Sequence, residues 1–350
     1  MRKLFHAIAA LAVLISPAVA QESVESFYRG RTMNLIVGYG TGGGYDVYAR
    51  HIARHFGRFL PGHPTVVVQN MPGAGSLVAA NHLYNAAPKD GSAVGMFARE
   101  MPMSAIMKAN PNIRFDPMQF TWIGSPAGAA DDVYLMFARK DGRVKDIRDI
   151  AKPDGPELVL GGTGTGSGGN DWALLLRDGL GLRIKLIPGY RDSNALFIAV
   201  ERGEIDGRSL DYSAVRSSRP DWLKSSSDVH VVLQFGIQDR HRDFPNAPTA
   251  RELARTPAHV ALLDLAELSN TLARPFVAPP GVPQDRAAAM RTAFTDMTAD
   301  KDYLAEAEKL RIEIAPLSAA TIMETLRKLA SAPPDVLEQL RKIRSASGQN

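Results

Sequence analysis

The sequence predicts an α/β protein of two lobes, each a doubly wound sheet, with one ligand cleft between them. Three observations carry this expectation. Two glycine-rich turns, Gly38-Tyr39-Gly40-Thr41-Gly42-Gly43-Gly44 and Gly161-Gly162-Thr163-Gly164-Thr165-Gly166-Ser167-Gly168-Gly169, lie far apart in the chain. Each follows a short apolar run and precedes a helix-like stretch, a pattern that aims free backbone N–H groups at an anion. Short apolar strands alternate with amphipathic helices around both turns, as in parallel α/β sheets. The 350 residues suffice for two ordinary domains.

The first residues stand apart from this pattern. Arg2 and Lys3 lead into an apolar run from Leu4 to Val19, and Ala18-Val19-Ala20 offers small residues at a cleavage point. Residues 1–20 read as a secretory signal peptide; the run is short for a membrane span, which needs about 20 apolar residues. Cleavage lowers the formal net charge from +4 to +2 by removing Arg2 and Lys3. A nearly balanced chain gives no reason to expect nucleic-acid binding. The absence of cysteine excludes disulfides and a lipid-bearing cysteine. The expected destination is the periplasm, without membrane insertion after cleavage.

In chain order, Met33–Val37 reads as a strand and Tyr45–Phe59 as a helix. Thr65–Val68, rich in β-branched residues, is the next strand. A helix over Gly75–Asn85 stops at Pro88 and the Asp90-Gly91 turn, and Ala93–Phe97 is the third strand. A second series follows: strands at Val133–Ala138 and Glu157–Leu160, a helix from Asn170, a strand at Ile184–Ile187, a helix from Ser193 to Arg202, and a strand near Ile205. Val229–Phe235 is apolar enough to return the chain to the first lobe. Arg274–Ala278 is a further short strand, and helices run from Pro283 to Ile343. The expected division is lobe I from 21–124 plus 235–350 and lobe II from 125–234.

Both glycine turns match G-x-G-x-x-G, at Gly38/Gly40/Gly43 and Gly164/Gly166/Gly169. A dinucleotide site also needs an acid at the end of the next strand. That position is Gln69-Asn70 in the first unit and Pro188-Gly189-Tyr190 in the second. A P-loop lacks its Gly-Lys-Ser/Thr, and Ser167 is preceded two residues earlier by Thr165, not by the glycine of a nucleophile elbow. A third stretch, Pro72-Gly73-Ala74-Gly75-Ser76, also opens a helix. No cofactor and no catalytic residue is expected. An exported hydrolase or transferase is the rival class, with Ser167 and Ser76 as its candidate nucleophiles. His51 and His55 share a helix face, read here as two solvated histidines with no metal site. Asp131-Asp132 reads as a loop end, and Arg240-His241-Arg242 as either a docking patch or a solvated turn.

Several runs, taken in order, resemble one family. Gly42-Gly43-Gly44-Tyr45-Asp46-Val47-Tyr48-Ala49-Arg50 resembles the G-G-G-x-D-x-x-A-R signature of the Bug family, the periplasmic solute receptors of tripartite tricarboxylate transporters. Val66-Val67-Val68-Gln69-Asn70-Met71-Pro72-Gly73-Ala74-Gly75 is similar to its V-V-V-E-N-x-P-G-A-G, and Ala87-Pro88-Lys89-Asp90-Gly91 to its A-P-x-D-G. Phe115-Asp116-Pro117, Gly164-Thr165-Gly166-Ser167, Pro188-Gly189-Tyr190-Arg191, Gly203-Glu204-Ile205-Asp206, Pro248-Thr249 and Ala278-Pro279-Pro280-Gly281-Val282-Pro283 continue the series.

The resemblance implies a type II-like periplasmic binding protein that closes on a small organic carboxylate and delivers it to a transporter with one large and one small membrane subunit. It implies that main-chain groups and ordered waters hold the carboxylate. The expected ligand-binding residues are Thr41, Gly42, Gly43, Gly44, Tyr45, Asp46, Gly73, Ala74, Gly75, Ser76, Arg99, Thr163, Gly164, Thr165, Gly166, Ser167, Asn170, Tyr190 and Asp206. Asp46 is expected to orient its own loop. Tyr45, Arg99-Glu100, Asn170, Arg208 and Asp211 depart from the family pattern. Arg99 could pair with a second ligand carboxylate or with Glu100 or another neighbour at the surface. The protein is expected to be a monomer, and a sensor kinase is the alternative receiver of its closed form.

Overall fold

The computed structural model describes residues 22–128, 133–164, 167–235 and 239–345. The signal-peptide reading, Thr165, Gly166 and the Asp131-Asp132 pair fall outside them. After a short helix α1 (Val24–Tyr28), the chain enters β1 (Thr32–Val37), α2 (Gly44–Phe59), β2 (Thr65–Asn70), α3 (Leu77–Asn85), β3 (Ala93–Met96), α4 (Met101–Ile106) and β4 (Thr121–Ser125). It then builds β5 (Tyr134–Arg139), β6 (Leu158–Gly161), α5 (Gly168–Leu174), β7 (Ile184–Ile187), α6 (Ser193–Glu201), β8 (Gly207–Asp211), α7 (Tyr212–Ser218) and β9 (Val229–Phe235). The remainder is α8 (Pro257–Asn270), β10 (Phe276–Ala278), α9 (Gln284–Ala299), α10 (Lys301–Leu310), β11 (Leu317–Ser318), α11 (Ala319–Ala330) and α12 (Pro334–Ser345).

Two sheets result, ordered β11-β4-β10-β3-β1-β2 and β7-β6-β8-β5-β9. Both are mixed, which corrects the expectation of wholly parallel sheets. In the first, β1 pairs in parallel with β2 and β3, while β10 runs antiparallel to β3 and β4. In the second, β6 pairs in parallel with β7 and β8, and β5 runs antiparallel to β8 and β9. The helical crossovers leave β1 to one side and return on the other, and β6 is treated likewise. Each sheet therefore has a switch point, where loops diverge and leave a crevice at the strand ends. The turns after β1 and β6 both open there.

Two other readings are corrected. Val229–Phe235 does not return to the first sheet; as β9 it is the edge strand of the second, paired with β5. The strand expected near Ile205 begins two residues later, at Gly207. Glycine is required at that start, since a Cβ on Gly207 would lie 2.0 Å from the Phe137 carbonyl oxygen on β5. Strand β4 and helix α8 had no clear signal in the sequence. Helix α8 buries Leu262, Leu263, Leu265 and Ala266 on one face, and the apolar Val260 on its exposed side blurs the pattern.

Three apolar cores hold the layers. Met33, Leu35 and Val37 of β1 pack with Tyr48, Ile52 and Phe56 of α2 and with Met290 and Phe294 of α9. Leu135 and Phe137 pack with Phe197, Val200 and Trp222 in the second lobe. The third core is shared: it runs from Phe97 and Trp122 through Leu262 and Leu326 to Leu340 and Ile343, and ends on Trp172 and Leu175 beneath the second sheet.

Candidate ligand cleft

A cavity of ≈ 60 Å³ lies between the two sheets, and both glycine turns line it. From the first sheet it receives Tyr39, Gly40, Gly43, Gly44 and Tyr45. From the second it receives Gly161 to Thr163, Ser167 to Gly169, Tyr134, the Asp192-Ser193 corner and Arg208 to Asp211.

Helix α2 presents an open N-terminus to this space. Gly43 is its N-cap and no side chain caps it. The Val47 N–H donates to the Gly43 carbonyl at 3.0 Å, so the preceding N–H groups of the first turn have no helical acceptor. Such a helix end favours an anion. The turn itself is held from behind by Asp46. Gly42, with φ +80°, donates its N–H to Asp46 Oδ2 at 2.8 Å, and Arg50 and Asn70 donate to the same carboxylate. Burial alone would raise the Asp46 carboxyl; the bonds from Arg50, the Gly42 N–H and Asn70 outweigh it and hold the group below its ordinary range.

The second turn is braced in the same way. The Ser167 hydroxyl donates to the Gly164 carbonyl at 2.7 Å and to Asn170 Oδ1 at 3.2 Å. Asn170 is fully buried and fills the space under Gly162, where a Cβ would meet Asn170 Oδ1 at 1.8 Å. Asn170 thus supports the turn from below. Tyr190 donates its N–H to the Gly162 carbonyl and also lies outside the cavity lining. Asp206 accepts the Val159 N–H at 2.9 Å, ties β6 to the approach of β8, and is likewise outside the lining.

The lobes touch across the cleft. Asn194 donates to the Thr41 carbonyl at 3.4 Å and Ser218 to the Gly42 carbonyl at 3.2 Å. The third glycine stretch takes part in this contact without lining the cavity. A Cβ on Gly164 would lie 2.8 Å from the Gly75 nitrogen and 3.2 Å from the Ala74 carbonyl carbon. Gly73 has φ +149°, and Ser76 lies buried behind the loop, accepting the Ala98 N–H at 3.1 Å.

Arg99 is buried and binds Asp211, and its N–H donates to the Tyr45 hydroxyl at 3.0 Å. The pairing is across the lobes and shielded from water, not at the surface with Glu100. Arg274 reaches the other Asp211 oxygen at 3.1 Å and donates to Ser213 at 3.0 Å. Burial would raise the Asp211 carboxyl, but Arg274 and Arg99 hold it below its ordinary range. Tyr45 stacks on Tyr39 with ring centroids 4.8 Å apart and receives the Arg274 guanidinium over its face at 4.7 Å. Glu100 is buried beside Gly168 and its Oε1 has no hydrogen-bond partner among the described residues. Burial, opposed by Arg99 and reinforced by Asp171 and Asp211, pushes its carboxyl up to about 7.

The lining residues outside the two glycine turns that were not chosen from the sequence include Tyr134, the Asp192-Ser193 corner, Leu196, the Arg208–Asp211 strand end and Ala214. Arg208 and Asp211 did carry a signal, as departures from the family pattern on a central strand. His51 and His55 prove buried, not solvated. With Glu306 they form a trio whose ligand-type atoms lie within 4.8 Å of one another, the one group among the described residues with metal-holding composition. Glu306 is already engaged there by Arg54 at 2.7 Å and by His55 at 2.5 Å. Among the described residues no helix is long and apolar enough to cross a membrane.

The two mixed sheets with opposed switch-point loops define the fold of a two-lobed periplasmic binding protein. A UPF0065 protein of Bordetella pertussis is 27% identical over 288 residues, covering 80% of this chain and 79% of that protein. A structure of MatC from Rhodopseudomonas palustris with bound malate shares the fold at TM-score 0.68 and 20% identity, covering 88% of this chain and 99% of that one. The periplasmic binding protein BugD does so at TM-score 0.67 and 18% identity, covering 90% and 98%. No protein-family model matches the chain. The chain is similar in sequence to the UPF0065 proteins and has the two-lobed binding-protein fold, as the resemblance implied.

Proposed function

We propose that this protein is a periplasmic solute receptor that closes on a small organic carboxylate and delivers it to a tripartite tricarboxylate-type membrane transporter. The observation that carries the reading is the pair of opposed glycine turns lining one cavity, with the uncapped N-terminus of α2 directed at it. Main-chain N–H groups of Gly43 to Tyr45 and of the turn after β6 receive the carboxylate. The bound malate of MatC is the matching chemistry in a protein of the same fold. The chain crosses between the lobes after β4 and after β9, so Phe235 goes with the second lobe; the protein acts as a monomer and turns nothing over. Ser167, the strongest nucleophile candidate, spends its hydroxyl on Gly164 and Asn170 and among the described residues forms no pair with a histidine base.

Closure on a ligand stabilises the folded state. Ligand at about 100 times its dissociation constant adds about 2.7 kcal/mol. A thermal-shift screen of mono-, di- and tricarboxylates at millimolar concentration is expected to raise the unfolding temperature for a subset of the acids. Shifts from sugars or amines, with none from any acid, would reject the reading.

A further inference from the structure

The cleft holds a cation that the main-chain scheme does not use. Arg208 lies on β8, lines the cavity, and is only 4% exposed. Its terminal nitrogens donate to the Ser193 carbonyl at 2.8 Å and the Ser193 hydroxyl at 3.3 Å, and its plane covers the Phe197 ring at 4.6 Å. Its Nε has no hydrogen-bond partner, and among the described residues no carboxylate lies within ion-pair distance.

The carboxylates near it are committed elsewhere. Asp192 accepts the Ala195 N–H at 3.0 Å through one oxygen and pairs with Arg191 at 2.9 Å through the other. Asp211 is divided between Arg99 and Arg274. A buried charge without a partner is costly, and proteins rarely retain one without a use for it. Burial pulls the guanidinium down to about 10, against the opposing pull of Tyr134, Asp211 and Asp192, which still leaves it charged at neutral pH. The unmet donor is the Nε–H of a guanidinium at the wall of a cavity, its terminal nitrogens held by Ser193, and a guanidinium suits a planar anion.

We infer that Arg208 is the side-chain anchor of the bound anion: its guanidinium pairs with a ligand carboxylate in the closed cleft and makes the site select charged acids over their neutral amides. This rests on the carboxylate-receptor reading and adds to it a charged partner from lobe II, facing the main-chain donors of lobe I. It also explains why an arginine stands at this point of a buried strand.

The test uses the full mature chain, with thermal shift and calorimetric titration of succinate, malate and adipate, of succinamide as neutral isostere, and of inorganic phosphate. Wild type is expected to respond to at least one acid and not to succinamide. Arg208→Met keeps an apolar stem over Phe197 and removes the unpaired charge. Its ligand-free unfolding temperature is expected to be no lower than wild type, while its affinity for the responding acid falls about 100-fold. Arg208→Lys, which keeps the charge without the fork, is expected to lose about tenfold and serves if the methionine variant does not fold. Affinity of either folded variant within threefold of wild type overturns the inference and leaves the carboxylate reading standing. A response to phosphate alone, abolished in Arg208→Met, keeps the anchor and rejects the carboxylate. No response of wild type to any of these anions overturns both.

Discussion

Glu100 shows how one buried side chain ties this cleft to pH. Its carboxyl ordinarily titrates near 4.5 and is raised to about 7 by burial, with Arg99 opposing and Asp171 and Asp211 adding. Between these values the folded protein keeps a proton that the unfolded chain has released. Stability therefore falls as pH rises through 4.5–7, and the loss is complete above 7, at about 3 kcal/mol. His51 acts in the opposite sense. Burial first, then the neighbouring His55, pulls it down to about 4, so its contribution is present above 6.5 and is lost as pH falls toward 4. The measurement that separates them is the difference between Glu100→Gln and wild type in urea unfolding at pH 5 and pH 8. The variant is expected to be close to wild type at pH 5 and more stable at pH 8; an equal difference at both would remove Glu100 from this role. At this scale the sequence was only partly informative. Asp46 as a brace for its own loop follows from its place in the first helical turn. Arg99 and Arg208 stood out as unusual, but their partners sit on strands and helices distant in sequence. No local pattern encodes which of two buried arginines is neutralised by Asp211 and which is left for a ligand.

At the scale of elements, the glycines work as surfaces as well as turns. The run β1–α2–β2–α3–β3 was legible because short β-branched or apolar strands, glycine turns and proline or Asp-Gly stops mark each boundary. Apolar Ile205 marked only the approach to β8, whose first residue, Gly207, lies against the β5 backbone. Gly164 shows the other use of a missing side chain: it lets the second turn rest on the Ala74-Gly75 backbone of the first lobe. A methyl group 2.8 Å from a backbone nitrogen forces one chain to shift. Gly164→Ala is thus expected to disturb this contact between the two lobes. It is expected to weaken the responding acid about tenfold, or about 1.4 kcal/mol. Solution scattering gives an independent reading: ligand-induced compaction is smaller in the variant. Full compaction with unchanged affinity would show that this contact does not limit closure.

Across the whole molecule, the two sheets are joined by more than the strand connections. The chain passes from β4 to β5 and from β9 toward β10, which is the expected arrangement for a hinged pair of lobes. The shared core adds a third link through the C-terminal helices. Helix α12 packs on α8 and on α5. Its Leu340 and Ile343 belong to the same core as Trp172 and Leu175. Arg344 of α12 pairs with Asp171 of α5 at 3.1 Å, with both side chains about 95% buried. A buried pair of this kind adds little net stability over an apolar pair, but removing one partner leaves a charge in a dry site and costs about 3–5 kcal/mol. Arg344→Ala is therefore expected to lower unfolding free energy by about that amount in urea. Arg344→Ala combined with Asp171→Ala is expected to recover much of it, because the stranded carboxylate is then gone. The double-mutant cycle bears on motion as well as stability. If α12 is carried with α5 when the cleft closes, the pair is intact in both states, and the single variant loses stability equally with and without ligand. If α12 stays with the first lobe, closure makes or breaks the pair, and ligand changes the coupling energy. The continuous packing from α12 to Trp172 favours the first outcome, so the expected coupling is the same in the presence and absence of a saturating acid.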